Sequence, residues 1–590
     1  MCGIAGSFQL TNFDSVILSL YKMLEKQHPR GPDSQGTFFT KRLMLGHKRL
    51  KISDLSEHAA QPMVDRSLGI SLVFNGEIYN FVQLRRQLEQ KGYAFKSSGD
   101  TEVLLKAYDA WGMDFLNNIE GMFAFALWDD KRKILVLARD RLGIKPLFYA
   151  ENSDEFTFAS TLPALLHMKG INKEIDQEAL HYYLTFHAIP DPLTLFKGIK
   201  KLPPGAILTI NAEGKKEIKY YWKLNFNNPI DYSKSEADWI SDLKYALNSA
   251  IERQFLADVP AGIFLSGGLD SSLLVGLASL LNKNILNTFS IGFDSFNNEA
   301  GDEFLYSDQI AKQFITKHHK FLIPRGKIEN SLASCVAAMS EPMVSHDNIA
   351  FYLLSQEVAK HVKVVLSGQG ADEIFAGYHW FQNLPQESKS FPHSAELILN
   401  LIADRNFSEY KQLLNKEYAT PNLSLDFLVN LCKESGTSNP VEQLMLYEST
   451  FALANGPLSR VDNMTMSASL EARVPFLDEK VVNLAFSMPL QFKLRKEGKY
   501  ILKQLGREML PKGIVDRPKG YFPVPAIKYL QGNIASLMQK MLSQKVIENR
   551  GIFNPKYIES IKKQNSLTPT GGSKLWQIAL LEYWLQQHNL

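Results

Sequence analysis

The segment AGIFLSGGLDSSLLVGLASLL, residues 261–281, constrains the fold more than any other: an apolar run, a turn of Ser and Gly, then an apolar helical pattern. An apolar run too short for a helix, ended by Gly-Gly and followed by helix formers, reads as a buried strand turning into a helix. The rhythm continues. ILNTFSIGF reads as a strand, IAFYLLSQEVAKH as a helix and VKVVL as another strand, while Ile240, Leu243, Leu247 and Ile251 mark an amphipathic helix in front. Strand and helix in alternation predict a parallel sheet with helices on both faces. From about Pro385 helical patterns dominate and predict an all-α extension.

Upstream, to about Trp222, the texture differs. Short apolar runs such as GMFAFALWD, KILVLARD and EFTFAS end in charged or Gly-containing turns, which is a strand signature. TEVLLKAYDAW interrupts them as a helix, with Val103, Leu104, Ala107, Tyr108 and Trp111 at helical spacing. This half reads as α+β and sheet-rich. The polar stretch KLNFNNPIDYSKS reads as the linker, giving expected domains at 2–222 and 234–590. A chain of 590 residues is in any case too long for one core.

Composition removes several function classes. Lys plus Arg number 65 and Asp plus Glu 62, a net charge of +3 with no long block of one sign, so nothing recruits nucleic acid or a charged membrane. The cysteines Cys2, Cys335 and Cys432 show neither CxxC nor Cys/His ligand spacing, which fits a reducing, cytoplasmic setting. The start lacks a basic n-region, and no stretch of about 18 uncharged apolar residues follows, so neither secretion nor a membrane span is expected. His318 and His319 have no HExxH-type spacing and are expected to pack.

Cys2 becomes the terminal residue once Met1 is removed, and its thiol then sits beside its own α-amine. With a reference pKa near 8, that amine serves as general base to the adjacent nucleophile without a histidine. Alone, Cys2 is also just a small residue after Met. MCGI, HPRGPDSQG, GHKRLKISD, FNGEIYN and SGDTEVLL, in that order, resemble the class II (N-terminal nucleophile) glutamine amidotransferases. That resemblance implies an Ntn-hydrolase sandwich, a thioester on Cys2 and ammonia as product. It also implies that Arg49 holds the glutamine carboxylate, that Glu77 and Asp100 receive its ammonium, and that Asn75 and Gly76 face the oxyanion. Singly, Asn75-Gly76 reads first as a hairpin turn, and an Arg or Asp as a solvated surface group; the collective order of the motifs outweighs this.

SGGLDS lies on a strand-to-helix turn, where backbone N–H groups and the helix N-terminus make a nest for phosphate. No GxxxxGK[ST] segment exists. SGGLDS resembles the PP-loop of ATP pyrophosphatases, and VKVVLSGQGADEIFAGY resembles the SG(E/D)GxDE signature of the asparagine synthetases. The resemblance implies ATP and Mg²⁺. Leu265, Ser266, Gly267, Gly268, Asp270, Ser271, Ile291, Ser367 and Gly368 would hold ATP, Asp270 and Asp372 the metal, and Lys499, in EGKYILKQ, the leaving pyrophosphate. SRVDNMTMSASLEARVPFLD, with Arg473 and Asp478, is similar to the family's late signature and is assigned to architecture.

The family implies ATP-dependent amidation of a small carboxylate through an acyl-adenylate, with ammonia drawn from glutamine and a homodimer as the usual assembly. Gln369 replaces the signature's acid. Together with AGDEFLYSDQ, SEPMVSHDNIAFYLLS and RPKGYFPVPAIKYL, similar to a subgroup that amidates N-acetylglutaminylglutamine, this leaves aspartate and that dipeptide as candidate acceptors. A plain hydrolase or glucosamine-type synthase is disfavoured by SGGLDS. A tRNA-modifying PP-loop enzyme would show a basic face or reactive CxxC, and a scaffold would lack Cys2 or Asp270.

Overall fold

The structure is a computed structural model that describes residues 2–8, 13–153, 155–227, 230–282, 284–295, 301–495, 497–517, 532–562 and 573–590. Its amino-terminal half contains β1 (Gly3–Phe8), β2 (Ser34–Phe39), β3 (Leu43–Arg49), β4 (Met63–Asp65), β5 (Ile70–Ile78), β6 (Gly121–Asp129), β7 (Ile134–Arg139), β8 (Phe148–Glu151), β9 (Phe156–Ala159), β10 (Ile199–Lys201), β11 (Ala206–Ile210) and β12 (Lys216–Tyr220). These form two antiparallel six-stranded sheets, β10-β8-β9-β1-β3-β2 and β12-β11-β7-β6-β5-β4.

Side-chain alternation explains the layering. On β6, Ala124, Ala126 and Trp128 face the other sheet beside Ile4, Phe8, Leu45 and Val73. Phe123, Phe125 and Leu127 point the opposite way, onto Val103, Leu104, Ala107 and Tyr108 of the helix Asp100–Trp111. The helix Phe13–Lys26 covers the outer face of the first sheet through Leu20, Met23 and Leu24. Fully burying each large apolar side chain contributes roughly 1.5 to 3 kcal/mol, so a one-residue register slip would lose most of both interfaces.

The second half is built on β13 (Ala261–Phe264), β14 (Asn287–Phe293), β15 (Lys317–Ile323), β16 (Val364–Leu366) and β17 (Glu471–Arg473). All are parallel, in the order β15-β14-β13-β16-β17. Ile263 and Leu265 pack with Leu243, Leu247, Leu273 and Leu277 on one face, whereas Phe264, Phe289 and Phe293 pack with Ile349 and Leu353 on the other. Helices therefore cover both faces, as the alternation predicts. Because the chain runs outward from β13 through β14 to β15 and then returns to β16 on the other side of β13, the strand order reverses between β13 and β16 and a crevice opens at their carboxyl ends.

Among the described residues, the region beyond Pro385 is mainly helical but also supplies the edge strand β17. Glu, Ala and Arg give no apolar signal, and their burial depends on partners distant in sequence. The carboxy-terminal helix Lys574–Gln587 packs back on the first half, where Tyr183 Oη donates to the Gln577 carbonyl at 2.9 Å. Among the described residues no helix is long and apolar enough to cross a membrane.

Candidate active sites

Cys2 sits at the head of β1, between β3 and β9, and is 7% exposed. Burial pushes its thiol pKa up, against the pull of the Leu50 backbone N–H and the Arg49 charge. Its backbone N–H donates to Asn75 Oδ1 at 3.0 Å, while Asn75 Nδ2, equally buried on β5, has no hydrogen-bond partner. Gly76 follows, and a Cβ there would lie 2.2 Å from the Met122 carbonyl oxygen, so only glycine fits.

Arg49, ending β3, is braced by its own loop: Nη1 donates to the Ser56 carbonyl at 2.9 Å and Nη2 to that of Asp54 at 2.5 Å. Glu77 accepts from Ser53 Oγ at 3.1 Å, and Asp100 accepts the Ile78 N–H at 2.9 Å. Burial raises the pKa of both carboxyls. The strands β3 and β5 and the N-terminus of the helix Asp100–Trp111 thus bring the expected glutamine-site residues to the same end of the sandwich as Cys2.

Asp462 and Arg473 tie this site to the other half of the chain. Arg30 Nε donates to the Cys2 carbonyl at 3.1 Å, and its two Nη atoms clasp Asp462 at 2.7 and 3.2 Å. Lys145 Nζ lies 3.5 Å from the same carboxylate. Burial alone would raise the Asp462 pKa, yet Arg30 and Lys145 hold it below the usual carboxylate range. Arg473, on β17, reaches Glu77 at 3.4 Å, so it touches the first site as well as serving architecture. Asp478 pairs with Arg253 at 2.7 Å, and Arg253 also holds Glu120 across the junction.

The second site occupies the sheet crevice, a cavity of about 810 Å³. Ser266, Gly268, Asp270 and Ser271 line it from the turn after β13, and Ser367, Gly368, Gln369 and Asp372 from the turn after β16, beside Leu265, Ile291 and Lys499. Gly267 has φ +76°, and a Cβ there would meet Tyr306 Cβ at 2.5 Å. Ser266 Oγ and Ser271 Oγ lie 3.1 Å apart, and Gly268 caps the helix Leu269–Leu281. Lys499 Nζ stands between the carboxylates, 2.6 Å from Asp270 and 2.8 Å from Asp372. Burial disfavours its charge, but Asp270 and Asp372 together raise its pKa above the ordinary lysine value.

Several participants escape sequence reading. Phe186, His187 and Ala188, from the first half, line the cavity too, and His187 Nδ1 is 3.1 Å from Asp404. Two π-helical turns, Glu448–Ala452 and Ala454–Leu458, present Glu448 and Asn455 there. Pro457 and Gly456 in ANGPL are the only local hint. His318 binds Thr288 Oγ1 at 2.9 Å and His319 stacks on Phe289, which are packing roles as expected. RPKGYFPVPAIKYL falls, after Arg517, outside the described residues.

Two family models match the chain: a glutamine amidotransferase domain over residues 1–222 and asparagine synthase over residues 242–586. Asparagine synthetase [glutamine-hydrolyzing] 1 of Bacillus subtilis (strain 168) is 30% identical, covering 99% of this chain and 96% of that protein. Asparagine synthetase [glutamine-hydrolyzing] 3 of the same organism is 32% identical over 92% of this chain and 90% of its own length. A putative asparagine synthetase [glutamine-hydrolyzing] 2 of Methanocaldococcus jannaschii is 36% identical over 64% of this chain and 76% of its own. With two family models side by side and relatives aligned over nearly its whole length, the chain belongs to the asparagine synthetase family, in the form that carries a glutamine amidotransferase domain.

Proposed function

We propose that the protein is a glutamine-hydrolysing ligase that amidates a small carboxylate at the expense of ATP, in the manner of the asparagine synthetases it resembles. The observation that carries this reading is the coexistence, in one packed chain, of a buried Cys2 beside Asn75 and Gly76 with a second cleft where Lys499 stands between Asp270 and Asp372.

In the first site, the mature α-amine of Cys2 removes the thiol proton, and the thiolate attacks the glutamine side-chain carbonyl. Asn75 Nδ2, a buried donor without a partner, and the Gly76 N–H are suited to the oxyanion. Arg49 is suited to the substrate carboxylate, and Glu77 with Asp100 to its ammonium. Collapse of the tetrahedral intermediate breaks the C–N bond and expels ammonia, which takes the proton held by the α-amine, and water then hydrolyses the thioester to release glutamate.

In the second site, the turns after β13 and β16 offer backbone N–H groups and the Ser266, Ser271 and Ser367 hydroxyls to phosphate, with Leu265 and Ile291 beside the nucleoside. Two carboxylates within reach of one point fit Mg²⁺, which prefers one or two protein carboxylates together with phosphate oxygens. When bound, the ion would neutralise charge on the polyphosphate. Lys499 offsets the charge developing on departing pyrophosphate as the acceptor carboxylate becomes an acyl-adenylate. Ammonia then displaces AMP. It must travel between the sites shielded from water, and the tightly packed junction of Arg30, Asp462 and Lys145 supports such closure.

Aspartate is the first acceptor to consider. Gln369, neutral where the family signature has an acid, supports the dipeptide N-acetylglutaminylglutamine as the second. The linker near residues 223–235, a reducing cytoplasmic setting and a homodimer complete the proposal. Supplying glutamine and Mg²⁺-ATP with each acceptor in turn, and quantifying AMP with the amide, tests it. Amide and AMP formed in equal amounts with one acceptor are expected. Glutamine hydrolysis with no acceptor-dependent AMP would overturn it.

A further inference from the structure

We propose that Arg473 is a positioning residue for glutamine: from the synthetase half it braces the Glu77 carboxyl and aims it into the amidotransferase site. This rests on the reading of Glu77 as a seat for the substrate ammonium.

The Arg473 side chain is wholly buried, and most of its donors are spoken for. Nε binds Glu471 Oε1 at 2.6 Å, and Nη1 binds the carbonyls of Gln254 and Leu256 at 2.8 and 2.7 Å. Nη2 makes no hydrogen bond and lies 3.4 Å from Glu77 Oε1. The guanidinium plane, fixed on three sides, therefore presents its remaining edge to Glu77. On its other oxygen Glu77 has the Ser53 hydroxyl at 3.1 Å.

Burial pushes the Glu77 pKa up to about 8 against the pull of Arg473, so the cation beside it governs how readily the carboxyl takes the charged form that attracts an ammonium. The charged and titratable groups facing Glu77 are Arg473, Glu471, Asp100, the terminal amine and, more weakly, Tyr79. Glu471 and Asp100 oppose ionisation, whereas Arg473 and, less strongly, the terminal amine favour it, so Arg473 is the larger compensating charge. The same residue is tied to the second site, since its backbone carbonyl accepts the Ser367 N–H at 2.8 Å and its strand pairs Leu366 with Arg473. A single residue of β17 thus touches both reaction centres.

The test uses the full chain carrying Arg473→Met, Arg473→Lys, Glu77→Gln and the double variant Arg473→Met with Glu77→Gln. Glutaminase kinetics across pH and ammonium-supported synthesis are measured for each. Arg473→Met is expected to raise the glutamine KM by about tenfold or more, as for loss of a close buried charge pair, with a smaller change in kcat. The acid limb of kcat/KM moves to higher pH, because Glu77 then ionises later. Arg473→Lys recovers part of both, and the double variant is little worse than Glu77→Gln.

A parallel loss of glutamine- and ammonium-supported activity, with KM and the acid limb unmoved, would reduce Arg473 to a structural brace and overturn the proposal. Should Arg473→Met not fold, Arg473→Lys decides: a raised KM with a shifted limb supports positioning, and wild-type values overturn it. If Glu77→Gln alone leaves KM unchanged, the reading of Glu77 itself fails. If Glu77→Gln raises KM and the Arg473 variants do not, only the positioning role fails.

Discussion

Lys499 Nζ lies 2.6 Å from Asp270 Oδ2, joining a helix terminus late in the chain to the first turn of the helix after β13. The ammonium also reaches Asp372. This triangle gathers the charge of the synthetase cleft at one point, and it sets apart variants that damage ATP chemistry from those that damage glutamine chemistry.

Lys499→Met should therefore lower AMP formation by about 100- to 1000-fold, the usual consequence of deleting one group that stabilises transition-state charge. Glutamine hydrolysis should persist, since Lys499 touches nothing in the first site. Parallel assays of pyrophosphate and glutamate check this. Equal loss of both would mean that the lysine only braces the fold.

The Arg30–Asp462 pair concerns stability. Arg30→Ala leaves a buried carboxylate with Lys145 at 3.5 Å as its nearest cation, and should cost about 3 to 5 kcal/mol. Asp462 has a folded pKa below its unfolded value, so its contribution is complete above the unfolded pKa and disappears as pH falls through the folded one. Denaturant melts of wild type and Asp462→Asn should thus differ at neutral pH and converge in acid. A gap independent of pH would contradict the pairing.

His47 sets an acid limit. It is fully buried on β3 with Nε2 3.2 Å from the Phe74 carbonyl, and burial holds its pKa down to about 3. The unfolded chain binds the proton first, so stability is complete above an unfolded pKa near 6.5 and falls as pH drops towards 3. The slope approaches about 1.4 kcal/mol per pH unit for this group. His47→Gln should flatten the stability profile between pH 6 and about pH 4. An unchanged slope would show that His47 is not the group responsible.

How much of this was visible in residues alone follows from the kind of interaction. β13 and its turn are legible because a buried strand and a Gly-rich turn leave local signals, and the two loops facing one crevice follow from the strand–helix rhythm. β17 is not, because Glu471 and Arg473 are buried by pairing with each other and with Glu77, and no local pattern announces a charge that finds its partner in space. Arg30 and Asp462 stand 432 positions apart. HPRGPDSQG was readable as a motif, but the destination of its arginine was not. His187 is hidden likewise: a lone histidine ending the helix Gln177–Phe186 gives no hint that it walls a cleft built by the other half.

The most direct measurement is made on Cys2→Ala. If nitrogen is released at the chain's start and used in the Asp270 cleft, this variant makes no amide from glutamine yet forms amide and AMP from ammonium salts at a rate near wild type. Amide still formed from glutamine, or ammonium-supported synthesis lost along with glutamine use in a variant that melts like wild type, would contradict it.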